Sequence, residues 1–151
     1  MTLYLTHRYH FSAGHRLHNE ALSAEQNRRL YGKCNNPNGH GHNYQLEVTL
    51  AGPIDPATGM VCDLALLDRV VDEAVLTPFD HRNLNLDEEA FRRRVPTTEH
   101  LCIEIFNRLA GKLEVETPAG VRLARVRLEE TSLNFFEYRG EEKNIERNVR
   151  D

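Results

Sequence analysis

Three histidines have the residue type and the spacing of a transition-metal site. His40 and His42 lie two residues apart, and in a strand such side chains point to the same face of the sheet. His15 falls on the apolar parity of an earlier alternating segment, so pairing of the two strands would bring three imidazoles together. A lone histidine is more often an ordinary core or surface residue, but three neutral nitrogen ligands with an open fourth position are typical of catalytic zinc. The pattern therefore predicts a zinc site at His15, His40 and His42.

Cys34 is the cysteine whose surroundings favour chemistry. It lies in a loop rich in turn-forming residues, 32–39, and Lys33 and the backbone amides of the turn would favour its thiolate form. Three interpretations stay open: a general base or nucleophile, a fourth metal ligand, or a free surface thiol. The position six residues before His40 favours the base. Cys62 and Cys102 are predicted to be structural.

Asp80 and His81 form a second candidate for proton transfer. An acid beside a histidine can orient the imidazole and raise its proton affinity, which would make His81 a proton donor or shuttle. The alternative is that both side chains are simply solvated in a loop.

Glu130 is a carboxylate at the end of an apolar strand face. It shares the parity of Val126 and Leu128, where a charge is costly unless it meets a donor. The donor could be the adjacent N–H groups of a guanidine-like ligand edge, or it could be Arg125 or Arg127. The sequence leaves both possibilities open.

The elements that must position these residues follow from the apolar periodicity. Strands are predicted over 3–17, about 40–51, 121–129 and 133–139. Helices are predicted over 64–76, capped by Asp63, and from Thr97 or Thr98 onward, with an apolar stripe at Leu101, Ile105 and Leu109. Residues 21–31 fit a short helix or an ordered excursion, and residues 77–96 look irregular.

The predicted order, ββααββ, indicates an α+β fold: a four-stranded antiparallel sheet with two helices on one face. The other face of the sheet would then need cover, which suggests a homo-oligomer. A length of 151 residues indicates one domain, 1–151, with residues 141–151 as a charged tail.

Composition narrows the classes of function. The formal net charge of −4 argues against nucleic-acid binding, and the Arg92-Arg93-Arg94 run is more typical of a solvated face than of a binding patch. No apolar stretch reaches membrane-spanning length, and the N-terminus lacks the layout of a signal peptide, so we expect a cytoplasmic protein that is not membrane-bound. Three cysteines, an odd and sparse set for this length, argue against a disulfide framework.

Six stretches together resemble the 6-pyruvoyl-tetrahydropterin synthase family. They are residues 11–17, 32–44, 54–61, 80–84, 97–99 and 129–131. Their order and most of their spacings match from about residue 8 to residue 140, and the 32–44 motif is highly specific. The resemblance implies the tunnelling fold, in which subunit sheets join into a barrel and two trimers stack into a homohexamer.

The resemblance also implies a zinc-dependent lyase of tetrahydrobiopterin biosynthesis. Its substrate would be 7,8-dihydroneopterin triphosphate, which loses triphosphate and shifts hydrogens internally to give the 6-pyruvoyl compound. The implied roles are zinc binding by His15, His40 and His42, proton abstraction by Cys34, an acid partner from a neighbouring subunit at Asp80 and His81, and pterin binding by Glu130 with Thr97 and Thr98.

Two alternatives to this function differ in product or in class. The 6-carboxytetrahydropterin synthase of the queuosine pathway is similar in fold, zinc site and substrate but releases acetaldehyde. Its loop between the cysteine and the His-Gly-His motif is typically shorter, so the five-residue spacer 35–39 favours the pyruvoyl type. A non-catalytic zinc or pterin-binding module is the other alternative, and it would need no proton-transfer set such as Cys34, Asp80 and His81.

Overall fold

A five-stranded sheet is the frame of the fold in a computed structural model, which describes residues 1–141. Most of the predicted charged tail, residues 142–151, therefore lies outside the described residues. The strands are β1 (Leu3–His15), β2 (His40–Gly52), β3 (Arg82–Asn83), β4 (Arg122–Thr131) and β5 (Asn134–Tyr138). Their order across the sheet is β3-β1-β2-β4-β5, and all pairings are antiparallel except that of β3 with β1.

Helical segments connect the strands. The α-helices are α1 (Ala24–Tyr31), α2 (Leu64–Val71), α3 (Thr77–Phe79), α4 (Leu84–Asp87) and α5 (Thr98–Glu116). Single turns of 3-10 helix occupy Gly32–Asn35 and Glu89–Phe91, and a π-helical turn occupies Asp72–Leu76. The predicted caps are confirmed for two helices, because Asp63 accepts a hydrogen bond from the amide of Ala65 and Thr97 accepts one from the amide of His100.

The prediction of an α+β fold is confirmed, but the prediction of four strands in the order ββααββ is wrong. The fifth strand, β3, is only two residues long and joins the edge of β1 in parallel, opposite Ala13 and Gly14. A segment this short carries no alternation that could reveal it in the sequence. Helix α1, which begins with a capping box formed by Ser23 and Gln26, also interrupts the predicted order.

The helix predicted over 64–76 is longer and less regular than expected. α2 runs into the π-helical turn and then into α3, so the helical path continues to Phe79. The extra residue in a π turn shifts the apolar face, yet Val75 within the turn and Phe79 after it are both fully buried. The segment 77–96, predicted to be irregular, contains α3, β3 and α4.

The pairing of β1 with β2 brings the three predicted metal ligands to one end of the sheet. His15 pairs with His40, and Ala13 pairs with His42. The face they share continues into the core through Tyr44, and the predicted stripe of α5, Leu101, Ile105 and Leu109, joins the same core where the helix packs over β4 and β5. Each fully buried leucine or isoleucine contributes about 1.5–3 kcal/mol to folding. The site therefore rests on the most buried part of the sheet.

The opposite face of the sheet is charged. Glu47 lies within 4.0 Å of Arg8, Arg125 and Arg127, and the Arg127 guanidinium lies 3.7 Å from the centre of the Phe135 ring. A charged face of this kind can be exposed to water. Burial of apolar surface on this face is therefore not a reason to expect the homo-oligomer that the sequence suggested. Among residues 1–141, no helix is both long and apolar enough to cross a membrane.

Candidate metal centre and active site

Three imidazoles converge where β1 ends and β2 begins. The ligand atoms of His15, His40 and His42 all lie within 4.8 Å of one another, and Nε2 of His15 lies 3.0 Å from Nε2 of His40. Strand alternation explains the convergence, because His40 and His42 share the core face of β2 and His15 ends the core face of β1. The structure thus brings together all three residues that the sequence predicted as metal ligands.

The environment of the histidines fits a transition-metal ion. Nδ1 of His15 must donate to the carbonyl oxygen of Pro96, 2.7 Å away, which leaves Nε2 unprotonated and turned toward the other rings. Nδ1 of His40 and Nε2 of His42 are buried without a hydrogen-bond partner among the described residues. Burial also lowers the pKa of His15 and of His42, which favours the neutral form that binds a metal.

Gly39 fixes the approach of β2 to the end of β1. Its φ of +72° is left-handed, and a Cβ there would lie 2.9 Å from the carbonyl oxygen of His15. Gly59 has a similar φ of +74° but no atom within 4 Å of its Cβ position. Substitutions at Gly39 and Gly59 therefore share the backbone strain of a positive φ, and only the substitution at Gly39 adds a steric overlap with His15.

We expect Gly39→Ala to destabilise the protein more than Gly59→Ala. Both variants lose about 1–2 kcal/mol because an L side chain is strained at positive φ, and Gly39→Ala loses about 1–3 kcal/mol more through steric overlap. Urea unfolding of the two variants and the parent measures the difference. Equal losses would show that the close approach at Gly39 does not constrain the site.

Glu130 is an anion beside the metal cluster. Its Oε1 lies 3.5 Å from Nε2 of His42 and accepts a hydrogen bond of 2.6 Å from Thr98, and its Oε2 accepts one of 3.0 Å from Asn134. Burial raises the pKa of the carboxyl, but the two hydrogen bonds and the nearby imidazoles of His42 and His15 outweigh burial and place the pKa below its usual range. Glu130 is therefore ionised at neutral pH.

In the structure, Glu130 does not pair with Arg125 or Arg127, the alternative that the sequence left open. Arg125 pairs with Glu47 and Glu137, and Arg127 pairs with Glu47 and Glu129. These contacts lie on the charged face of the sheet, whereas Glu130 faces the histidines. Within residues 1–141, its carboxylate is thus held by the neutral donors Thr98 and Asn134 and pairs with no arginine or lysine.

Thr97 and Thr98 have separate positions at the start of α5. The Thr98 side chain is buried and donates to Glu130, whereas the Thr97 hydroxyl accepts the amide of His100 as the cap of the helix. The structure therefore places Thr98 at the site and Thr97 one residue before it, in a capping role.

Cys34 lies in the 3-10 turn that follows α1 and is half-buried. The turn docks on the segment after β1, because the amide of Leu17 donates to the carbonyl oxygen of Cys34 at 2.9 Å. The buried side chain of Asn35 fastens the same contact by donating to the carbonyl oxygen of Leu17 at 2.8 Å. Cys34 is outside the cluster of ligand atoms in this structure, so its geometry does not favour the fourth-ligand interpretation.

Asp80 and His81 form a hydrogen-bonded pair on the open edge of β1. Oδ1 of Asp80 lies 2.9 Å from Nδ1 of His81 and accepts the amide of Ser12, a hydrogen bond that lowers the pKa of the Asp80 carboxyl. Among residues 1–141, His81 is the one non-glycine residue with positive φ, +59°, and 82% of its side chain is exposed. Among residues 1–141, no hydrogen bond or ion pair joins this pair to the three histidines.

Three contributors to the site were missed by the sequence interpretation. Asn134 holds one carboxylate oxygen of Glu130, the carbonyl of Pro96 orients His15, and the fully buried hydroxyl of Tyr44 lacks a hydrogen-bond partner among the described residues. Tyr44 shares the strand parity of His40 and His42, and parity alone cannot show where a hydroxyl points. The other two depend on contacts between distant segments and carry no local signal.

The fold and the site define an α+β protein with three histidines suited to one metal ion and an ionised carboxylate beside them. The family described as 6-pyruvoyl tetrahydropterin synthase matches residues 4–141. This chain therefore belongs to the 6-pyruvoyl tetrahydropterin synthase family, as the resemblance in sequence predicted.

Individual relatives agree with this membership. The 6-pyruvoyl tetrahydrobiopterin synthase of Homo sapiens is 48% identical over 137 residues, which cover 91% of each chain. That of Poecilia reticulata is 46% identical over 138 residues, or 91% of this chain and 90% of the relative. The structure of 6-pyruvoyl tetrahydropterin synthase from Caenorhabditis elegans superposes with a TM-score of 0.86 at 43% identity, over 93% of this chain and 97% of that one.

Proposed function

We propose that this protein is a zinc-dependent lyase that converts 7,8-dihydroneopterin triphosphate to 6-pyruvoyl-tetrahydropterin with elimination of triphosphate. The observation that carries the proposal is the convergence of His15, His40 and His42 beside ionised Glu130. Membership of the family and relatives named as 6-pyruvoyl tetrahydrobiopterin synthases support the same reaction.

The pterin ring would be held by Glu130. An ionised carboxylate has two oxygens that can accept parallel N–H bonds from a guanidine-like ring edge. Thr98 and Asn134 fix the orientation of this carboxylate before substrate binds, which lowers the entropy lost on binding. Thr97 would contribute by starting the helix that presents Thr98.

The side chain of the substrate would lie over the histidines. His15, His40 and His42 would hold zinc, which, when bound, polarises hydroxyl and carbonyl oxygens and so acidifies the neighbouring C–H bonds. The Pro96 carbonyl supports this arrangement, because it keeps the His15 ring in one tautomer and one orientation.

Proton transfer would be shared between Cys34 and the Asp80–His81 pair. Cys34 would take a side-chain proton as a thiolate, and His81, oriented by Asp80, would donate one. Since the pair sits at the edge of β1 and, within residues 1–141, makes no hydrogen bond or ion pair with the three histidines, we propose that it serves a neighbouring copy in a homohexamer. The reaction moves hydrogens within the substrate and needs no external oxidant.

Removal of the metal tests the proposal. The purified protein is dialysed against a zinc chelator, and triphosphate release from 7,8-dihydroneopterin triphosphate is measured before and after zinc is restored. We expect activity to disappear with the metal and to return with zinc. Full activity in metal-free protein would contradict the zinc-dependent reaction.

We expect Glu130→Gln to weaken substrate binding while leaving zinc content unchanged. The amide cannot accept both N–H bonds, and loss of a charge-assisted interaction of about 1.5–3 kcal/mol corresponds to a rise in KM of roughly 10- to 100-fold. Metal analysis and steady-state kinetics measure the two effects. Glu129→Gln, on the charged face of the same strand, is the matched control. Unchanged affinity in Glu130→Gln would assign Glu130 a purely structural role.

A further inference from the structure

Four cations line a groove that the proposed chemistry has not used. Two adjoining cavities, of about 630 and 360 Å³, share Arg16, His18 and Pro37 in their walls. Arg93 lines the larger cavity, and Arg28 and Lys33 line the smaller one. We call the surface formed by Arg16, Arg28, Lys33 and Arg93 the cationic groove.

The four cations of the cationic groove have no acidic partner within residues 1–141, although Glu20 also lines the larger cavity. Within residues 1–141, none of its four cations lies within 4.0 Å of a carboxylate oxygen, and Nε of Arg16 donates to the neutral carbonyl of Asn35. By contrast, Arg92 and Arg94, which also line the larger cavity, pair with Glu89 and Glu104. In a chain with a net charge of −4, four unpaired cations along one groove indicate an anionic ligand.

The wall of the cationic groove includes chain neighbours of the metal ligands. Arg16 directly follows His15, and Gly39, which also lines the larger cavity, directly precedes His40. Pro96, whose carbonyl orients His15, lines it too. The cationic groove therefore begins at the end of the sheet where the metal ligands lie.

We propose that the cationic groove binds the triphosphate group of the substrate. The proposal rests on the proposed function, since it assigns a place to the leaving group of that reaction. Guanidinium groups bind phosphate oxygens in a bidentate manner, and an ammonium adds a compact charge. With the ring at Glu130 and the side chain over the histidines, the groove receives the polyanion and stabilises its charge as the C–O bond to phosphate breaks.

Binding of inorganic triphosphate tests the cationic groove without turnover. Calorimetry is done on the zinc-loaded protein, and zinc is measured afterwards because free triphosphate can chelate the metal. We expect Arg93→Gln and Lys33→Gln each to weaken binding about tenfold. Arg122→Gln is the matched control, because Arg122 is exposed and lies at the Ala51 end of the sheet, away from His40. We expect it to bind like the parent.

A second ligand separates the groove from the ring site. The affinity of Arg93→Gln for 7,8-dihydroneopterin, which lacks phosphates, should match that of the parent, while its KM for the triphosphate rises. Parent-like binding of inorganic triphosphate by both variants would overturn the groove assignment, even in an active enzyme. A protein that binds triphosphate through Arg93 but turns nothing over would instead overturn the proposed reaction and keep the groove as a polyphosphate site.

Discussion

The variant His40→Ala should lose most of the zinc that the parent protein binds. His40 supplies one of three imidazoles whose ligand atoms lie within 4.8 Å of one another, and two remaining ligands bind a metal weakly. The loss should exceed the roughly 10- to 100-fold that follows removal of a residue that only orients a ligand. Elemental analysis and competition with a chromogenic chelator measure zinc content and affinity.

The control for this variant is His10→Ala. His10 is exposed on β1, on the opposite parity from the metal cluster, so its loss should leave zinc content unchanged. Equal zinc content in His40→Ala and the parent would contradict the ligand assignment. Because Nδ1 of His40 is buried without a hydrogen-bond partner among the described residues, we expect His40→Ala to unfold at a midpoint similar to that of the parent when zinc is absent from both.

The variant Cys34→Ala should lose turnover while keeping zinc and substrate. Cys34 lies outside the metal cluster, so its removal leaves the three imidazoles intact. A general base contributes about 10²- to 10⁴-fold to a proton-transfer step, and we expect kcat to fall by that order. Measurements of zinc content, substrate binding and kcat on the same preparation distinguish a base from a ligand.

Cys62→Ala provides the comparison for loss of a thiol. Cys62 is buried near the start of α2, where its sulfur contacts the carbonyl oxygen of Asp63 at 3.5 Å, and its loss should reduce stability without changing kcat. Turnover that survives in Cys34→Ala would show that Cys34 is not the base. Loss of zinc in Cys34→Ala would instead favour its interpretation as a metal ligand.

Strand alternation allowed the metal cluster to be predicted from the sequence. The two-residue period places His40 and His42 on the face that continues into Tyr44, and the same rule places His15 on the face of Phe11. Any antiparallel pairing that buries both apolar faces places the three histidines on one face, and the observed register, which pairs His15 with His40, brings their rings together. Glu130 was predicted in the same way, even though the register of β4 with β5 shifts between Glu129 and Thr131.

Other features depend on contacts that a local pattern cannot carry. β3 exists because residues 82–83 reach the edge of β1 after α3, and no periodicity marks a two-residue strand. The sequence also could not distinguish Thr97 from Thr98, because either threonine could cap α5. The structure shows that Thr97 caps the helix and that Thr98 donates a hydrogen bond to the carboxylate of Glu130. The adjacency of Asp80 and His81 suggested proton transfer, whereas their place as the acid partner of a neighbouring subunit came from the resemblance alone.

The run of three arginines shows how tertiary contacts divide residues that look alike. The sequence predicted a solvated face for all three. Arg92 and Arg94 do pair with acids on neighbouring segments, whereas Arg93 faces the cationic groove without a carboxylate partner within residues 1–141. Arg92 has its partner Glu89 three residues earlier, whereas the partner of Arg94, Glu104, lies on α5, a contact that charge patterning along the chain does not reveal.

Identification of the product tests the central proposal most directly. The zinc-loaded protein is incubated with 7,8-dihydroneopterin triphosphate, and the products are identified by mass spectrometry. We expect a 6-pyruvoyl pterin together with free triphosphate. Acetaldehyde and a 6-carboxypterin, or no product from a protein that holds zinc, would contradict the proposed reaction.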